Sequence, residues 1–184
     1  MRNFPYWYVN GLFNQEKIKE IDLFISKNYN PELNDHPAEH ITKTANVKII
    51  GWDKIKHLLR PAEEMMKYVN ATEIGYDLYD FTDFQGVNYN VYNSSNSGQY
   101  DWHIDATPDQ APTDIKLTVI INVSTEPFEG GDFKIFRQGV IPVPEINTPG
   151  AMIVFPSFFN HKVEPVTRGI RKTVSFWIYG PKFR

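Results

Sequence analysis

The chain has 184 residues, 41% of them hydrophobic and 22% charged, with a net charge of −3 and no cysteine. That length buries about two-thirds of the unfolded surface in one domain, and the balance is that of an ordinary globular protein. No basic stripe points to nucleic acid, and without cysteine neither a disulfide nor a thiolate metal site can form, so any metal must use His, Asp or Glu.

The opening run Met1 to Val9 carries no apolar signal core, and no stretch of about 18 apolar residues is present. Both predict a cytoplasmic protein that does not enter a membrane. Aromatic residues make up 15% of the chain, which fits a β-rich core, an aromatic-lined pocket, or both.

Trp7, Val9 and Leu12 predict a first strand. Asn14 then reads as an N-cap, and Ile18, Ile21, Phe24 and Ile25 recur at helical spacing, giving a helix over 15–28. Residues 28–45, with Asn30-Pro31 and Asp35-His36-Pro37, read as an irregular loop. His36 and His40 flank Glu39 there, but the prolines and the order of the residues argue for a loop near a substrate entrance over a metal pair. Val47, Ile49 and Ile50 mark a short strand. A second helical region carries Ile55, Leu58, Leu59, Met65, Met66 and Val69 on its apolar side, with Pro61 either kinking it or starting a new helix. His57 and Glu63-Glu64 fall on its solvated face.

After residue 74 the period changes to two. Strands are expected at 75–81, 84–92, 116–124, 132–137, 150–155, 160–166 and 171–179, separated by Gly, Pro, Asn and Ser. Asp80 and Asp83 read as turn residues. Helices followed by a run of short strands predict an α+β fold, a double-stranded β-helix (jelly roll) with N-terminal helices packed on the outside. A single domain over 1–184 is expected, with helical support over about 1–74 and the jelly-roll core over about 75–184. Alternation puts Val87, Tyr89 and Val91 on one face, and Asn88, Asn90 and Tyr92 on the other. It likewise sets Leu117, Val119, Ile121 and Val123 against Thr118, Ile120, Asn122 and Ser124. The polar faces meet either bulk water or a wet pocket inside the roll.

The chemistry concentrates in Tyr-Asp-Trp-His-Ile-Asp at 100–105 and in His161 and Arg171. His103 and Asp105 are two apart, so on a strand they share a face. With His161 they make two imidazoles and one carboxylate, the facial triad with open positions that suits a non-haem Fe(II) oxygenase. Arg171 is placed to hold a carboxylate through two charge-assisted hydrogen bonds. Trp102 either contacts substrate or packs.

Over about 84–180 the chain resembles the Fe(II)/2-oxoglutarate-dependent dioxygenases, and most closely their prolyl-4-hydroxylase-like branch. The resemblance rests on Tyr92, Gly98, His103 to Asp105, Thr118, Gly130-Gly131-Asp132-Phe133, Gly150 to Pro156, and His161 to Arg171. It implies that His103, Asp105 and His161 bind Fe(II) and that Arg171 pairs with the distal carboxylate of 2-oxoglutarate. It further implies that Tyr92 faces the cosubstrate, that Thr173 adds a hydroxyl, and that Trp177 is an aromatic near the metal. Asn122 stands where animal-type prolyl hydroxylases often carry a tyrosine that helps hold that carboxylate. Asp105 argues against a halogenase, which lacks the carboxylate.

The implied cofactors are Fe(II), 2-oxoglutarate and O2, with ascorbate in support. The implied reaction is hydroxylation of an unactivated C–H bond with release of succinate and CO2, leading with a prolyl residue of a peptide or protein; a small-molecule substrate is the alternative. A different class of protein, a non-catalytic jelly-roll ligand-binding module, would need no joint binding of Fe(II) and 2-oxoglutarate. The loops at 28–45 and 93–100 are candidate lids.

Overall fold

The computed structural model describes residues 4–29, 43–83, 85–105 and 111–183. His36, His40 and most of the expected lid at 28–45 lie outside the described residues.

Strand β1 (Trp7–Val9) leads into helix α1 (Gln15–Asn28), which begins where the sequence predicts. Asn14 Oδ1 accepts from the Lys17 amide at 2.9 Å and so satisfies a first-turn donor. Ile18, Ile21 and Ile25 are buried. After β2 (Lys43–Thr44) and β3 (Asn46–Gly51) comes α2 (Trp52–Val69). Pro61 starts no new helix, because α2 runs through it as one element. The proline is on the exposed side, while Leu58, Leu59 and Ala62 on either side of it are buried and hold the helix to the core. His57 is exposed and meets Phe24 edge-on, and Glu63 pairs with Lys67.

The strand expected at 75–81 does not form. A single π turn over Asn70–Ile74 ends on left-handed Gly75. The Asn70 side chain then ties the chain down, accepting from the Tyr76 amide and donating to its carbonyl. The expected strand at 160–166 is two strands. Pro165 has no amide to donate, so it divides Asn160–Val163 from Val166–Arg168.

The remaining strands are β4 (Gly86–Asn93), β5 (Gln99–His103), β6 (Thr113–Asn122), β7 (Glu129–Gly130), β8 (Phe133–Phe136), β9 (Val140–Pro142), β10 (Met152–Pro156), β11 (Asn160–Val163), β12 (Val166–Arg168) and β13 (Ile170–Pro181). They form a six-stranded sheet in the order β1-β10-β6-β13-β4-β3, a five-stranded sheet β2-β5-β11-β8-β9, and the small pair β12-β7. All pairings are antiparallel. This is the expected α+β jelly roll.

The six-stranded sheet has two different faces. Val87, Tyr89, Leu117, Val119, Ile121, Val174, Phe176 and Ile178 form one core with the buried residues of α1 and α2. The opposite face, with Ile120 and Tyr92, joins Phe133, Ile135, Phe155 and Val163 in a second core between the sheets. Each helix therefore stiffens the sheet from behind and leaves the inner face to line a pocket. Among the described residues no helix is long and apolar enough to cross a membrane.

Candidate active site

His103 is the last residue of β5, directly opposite His161 of β11 in the ladder. Asp105 lies two residues past the end of the strand. Its amide donates to the Ser157 carbonyl at 3.2 Å, so the approach to β10 fixes it. The potential ligand atoms of the three side chains all lie within 4.8 Å of one another. Asp105 Oδ1 is 3.9 Å from His103 Nε2, and Asp105 Oδ2 is 3.6 Å from His161 Nε2.

The imidazoles are oriented by the backbone. Nδ1 of His103 is 2.7 Å from the Asp101 carbonyl, and Nδ1 of His161 is 2.9 Å from the Phe159 carbonyl. A carbonyl only accepts, so Nδ1 carries the proton and the Nε2 lone pair is turned to the shared point. Burial pushes the pKa of His103 down to about 4, assisted by the charge of neighbouring His161. Burial also lowers that of His161, against the pull of Asp105. Both rings are thus neutral at neutral pH, the form that binds metal. Phe155 and Phe133, at ring distances of 4.9 and 5.6 Å from His161, keep that side dry.

Arg171 shares the pocket with the triad. It is only 1% exposed, and its Nε and Nη2 are buried with no hydrogen-bond partner among the described residues. Burial works against its charge. The guanidinium lies 5.5 Å from the centroid of the Tyr92 ring, and burial pushes the Tyr92 phenol up to about 12. A buried guanidinium with two orphan donors calls for a planar anion. Glycine at 131 makes room for it. The backbone there is left-handed at φ +69°, and a Cβ would come within 2.8 Å of Arg171 Cδ.

Residues 171, 173, 175 and 177 alternate along β13, and all four line the pocket, as do Asn88, Asn90 and Tyr92 of β4. The polar faces thus line a pocket. Trp177 lies on its wall, and its buried Nε1 has no hydrogen-bond partner among the described residues. Asn122 requires a correction. It is fully buried outside the pocket lining; its Nδ2 donates to the Ile146 carbonyl and its Oδ1 accepts from the Ser124 amide. The alternation was right, but the short helix at 144–147 roofs that end of β6 and claims the side chain. Trp102 packs on Phe136, with Lys162 over its ring, and is likewise outside the lining. Of the second candidate lid, 94–96 forms a short 3-10 helix.

Sequence reasoning missed Lys43, Tyr100 and Phe133 as lining residues. Tyr100 precedes His103 by three, and its ring stacks on the imidazole at 3.5 Å and 15°. No local signal marks Lys43.

The donor set suits a divalent transition metal of intermediate softness, and the orphan guanidinium suits a carboxylate beside it. A jelly roll that encloses a two-histidine, one-carboxylate site with an open side defines a mononuclear metal protein. The model of the 2OG-Fe(II) oxygenase superfamily matches residues 87–179, half of the chain. The chain belongs to this superfamily, whose metal and cosubstrates are Fe(II), 2-oxoglutarate and O2.

A PKHD-type hydroxylase of Pseudomonas fluorescens is 34% identical over 88 residues, covering 44% of this chain and 38% of that protein. The chain thus spans well under half the length of the curated relatives it matches. A Pseudomonas putida prolyl-4-hydroxylase structure superposes with a TM-score of 0.72 at 15% identity, over 98% of this chain and 95% of the other. A Trichoplax adhaerens prolyl hydroxylase, in complex with a hypoxia inducible factor peptide fragment, superposes with a TM-score of 0.70 at 16% identity, over 97% and 84%. At these identities the structures establish the fold.

Proposed function

We propose that this protein is an Fe(II)- and 2-oxoglutarate-dependent hydroxylase acting on an unactivated C–H bond, with a prolyl residue of a peptide or protein as its substrate. The observation that carries the reading is the buried Arg171 guanidinium, with two donor atoms unpartnered among the described residues, in the same pocket as His103, Asp105 and His161. Fe(II) with 2-oxoglutarate and O2 supplies the oxidising power to insert oxygen into a C–H bond, releasing succinate and CO2.

The chain's own residues do the binding and the exclusion. His103, Asp105 and His161 hold the metal through Nε2, a carboxylate oxygen and Nε2, leaving one side open. Arg171 holds the distal carboxylate of 2-oxoglutarate and fixes the direction in which the acid enters. Tyr92 and Thr173, both nearly fully buried beside it, shape that end of the pocket. Phe133 and Phe155 exclude water from the His161 side, and Trp177 covers the wall beside Thr118, its ladder partner. The relative named a PKHD-type hydroxylase and the fold shared with a prolyl hydroxylase bound to a peptide support a prolyl, peptide-borne substrate.

The test is succinate formation from 2-oxoglutarate with Fe(II) under air, run against proline-containing peptides and read by a mass gain of one oxygen atom. His103→Ala and Arg171→Ala should both abolish turnover. Undiminished turnover in either variant would sink the assignment.

A further inference from the structure

Lys43 stands in the pocket wall although no motif points to it. Edge strand β2 pairs Lys43 with Tyr100 of β5, and the chain continues through Ala45 into β3 of the other sheet. Lys43 therefore occupies the corner where the two sheets meet. Its Nζ reaches across to β4 and donates to Asn90 Oδ1 at 3.3 Å, and it lies 4.7 Å from the centroid of the Tyr100 ring. Asn90 is itself held, its Nδ2 donating to Ser175 Oγ at 3.0 Å. Tyr100 in turn stacks on His103. The ammonium is thus one aromatic ring away from the first imidazole of the triad.

This position differs from that of Arg171. Asn90 pairs with Thr173, one step along β13 from the Arg171–Tyr92 level on the same inward face. One pocket wall holds two cations, one at the Tyr92 end and one a step further along β13, at the level of Asn90. 2-Oxoglutarate is a dianion with a carboxylate at each end. If Arg171 takes the distal one, the other extends along the pocket from it, toward the level of Asn90 and Lys43. A charge-assisted hydrogen bond there is stronger than one between neutral groups.

We propose that Lys43 binds the 1-carboxylate of 2-oxoglutarate, as a second cosubstrate-binding cation set opposite Arg171. The inference rests on the hydroxylase reading above, and its test separates the two.

Binding of 2-oxoglutarate is measured by calorimetry with Mn(II) in place of Fe(II), without oxygen, and repeated with 2-oxovalerate, which lacks the distal carboxylate. Lys43→Met should weaken both ligands by the same factor, about tenfold or more. Lys43→Gln, which removes the charge and keeps a donor, should follow it. Arg171→Met should weaken 2-oxoglutarate and leave 2-oxovalerate unchanged. Mn(II) alone should bind Lys43→Met as it binds the unmodified protein, and the apo melting temperature should hold.

If Lys43→Met keeps its 2-oxoglutarate affinity while Arg171→Met loses it, the Lys43 assignment fails and the hydroxylase reading stands. If the Lys43→Met effect vanishes with 2-oxovalerate, Lys43 serves the distal carboxylate and the assignment is overturned. If both Lys43 variants unfold, the residue is structural and the assignment again falls. If the unmodified protein binds no 2-oxoglutarate with Mn(II), both readings fall together.

Discussion

The Thr118 hydroxyl donates to Asp105 Oδ2 at 2.6 Å and lies 3.0 Å from the Ser157 hydroxyl. Asp105 sits beyond the end of β5, where no ladder bond orients it, so this contact and its amide bond to Ser157 set the direction of the carboxylate. Thr118→Val keeps the shape and removes the donor. Partners that orient a metal ligand are worth about 10- to 100-fold in metal affinity. Titration with Mn(II) should show a loss in that range, with Thr118→Ser close to the unmodified protein. Equal affinity in Thr118→Val would mean that Ser157 alone suffices.

Arg171→Met gives the second prediction. Replacing a poorly paired buried charge with an apolar side chain of similar volume is often neutral or stabilising, by about 1–4 kcal/mol. The apo variant should melt at or above the temperature of the unmodified protein. It should also lose the stabilisation that 2-oxoglutarate confers, which at a hundred times Kd is about 2.7 kcal/mol. Thermal scans with Mn(II), with and without 2-oxoglutarate, check both halves at once. A lower apo melting temperature would mean that the guanidinium is already well satisfied.

Gly131→Ala tests the space behind that guanidinium. The added Cβ would lie 2.8 Å from Arg171 Cδ and 3.0 Å from Val166 Cγ2, on backbone that only glycine adopts without strain. The left-handed conformation alone costs about 1–2 kcal/mol. The variant should be destabilised by at least that amount and bind 2-oxoglutarate roughly tenfold more weakly through displaced charge-assisted bonds. Its Mn(II) affinity should not change. Urea unfolding and calorimetry read the two effects separately.

Asp22 on α1 receives Lys172 Nζ at 3.0 Å on each carboxylate oxygen and also accepts from the Tyr89 hydroxyl. Burial and the Asp22 contact push the Tyr89 phenol up, so it remains a donor. Asp22→Ala strands both partners at a half-buried junction between helix and sheet. A cost of about 1–3 kcal/mol is expected in urea unfolding, with no change in 2-oxoglutarate affinity. Weakened binding would show that the α1 contact reaches the pocket through Lys172 and its neighbour Arg171.

What the sequence could reveal depended on whether the deciding interaction was local. The ends of α1 were legible because Asn14 and the spacing of Ile18, Ile21 and Ile25 are neighbours in the chain. On β13, Arg171, Thr173 and Trp177 were legible through the family resemblance, and the alternation of the strand adds Ser175 to the same lining. Asn122 obeyed the same alternation on β6 and yet lies outside the pocket, since the Ile146 carbonyl that captures it comes from far along the chain. Lys43 was invisible for the same reason, as its place follows from a two-residue strand that pairs with β5. Residues 75–81 carry strand-like aromatics, but Phe81 stacks on Trp52 and Tyr79 makes a backbone bond to Tyr179, so the segment packs without joining a ladder. Asp105 was found by its spacing from His103, although the strand that made the spacing meaningful stops at His103 itself.

β13 supplies Val174, Phe176 and Ile178 to the helix-backed core and the residues between them to the cavity. Parity along this one segment therefore divides two kinds of mutational freedom. Changes at 173, 175 and 177 can retune chemistry while the scaffold stays intact, and changes at 174, 176 and 178 tax the scaffold first. An engineer or a diverging lineage could thus explore new ligands by altering every other position of a single ribbon.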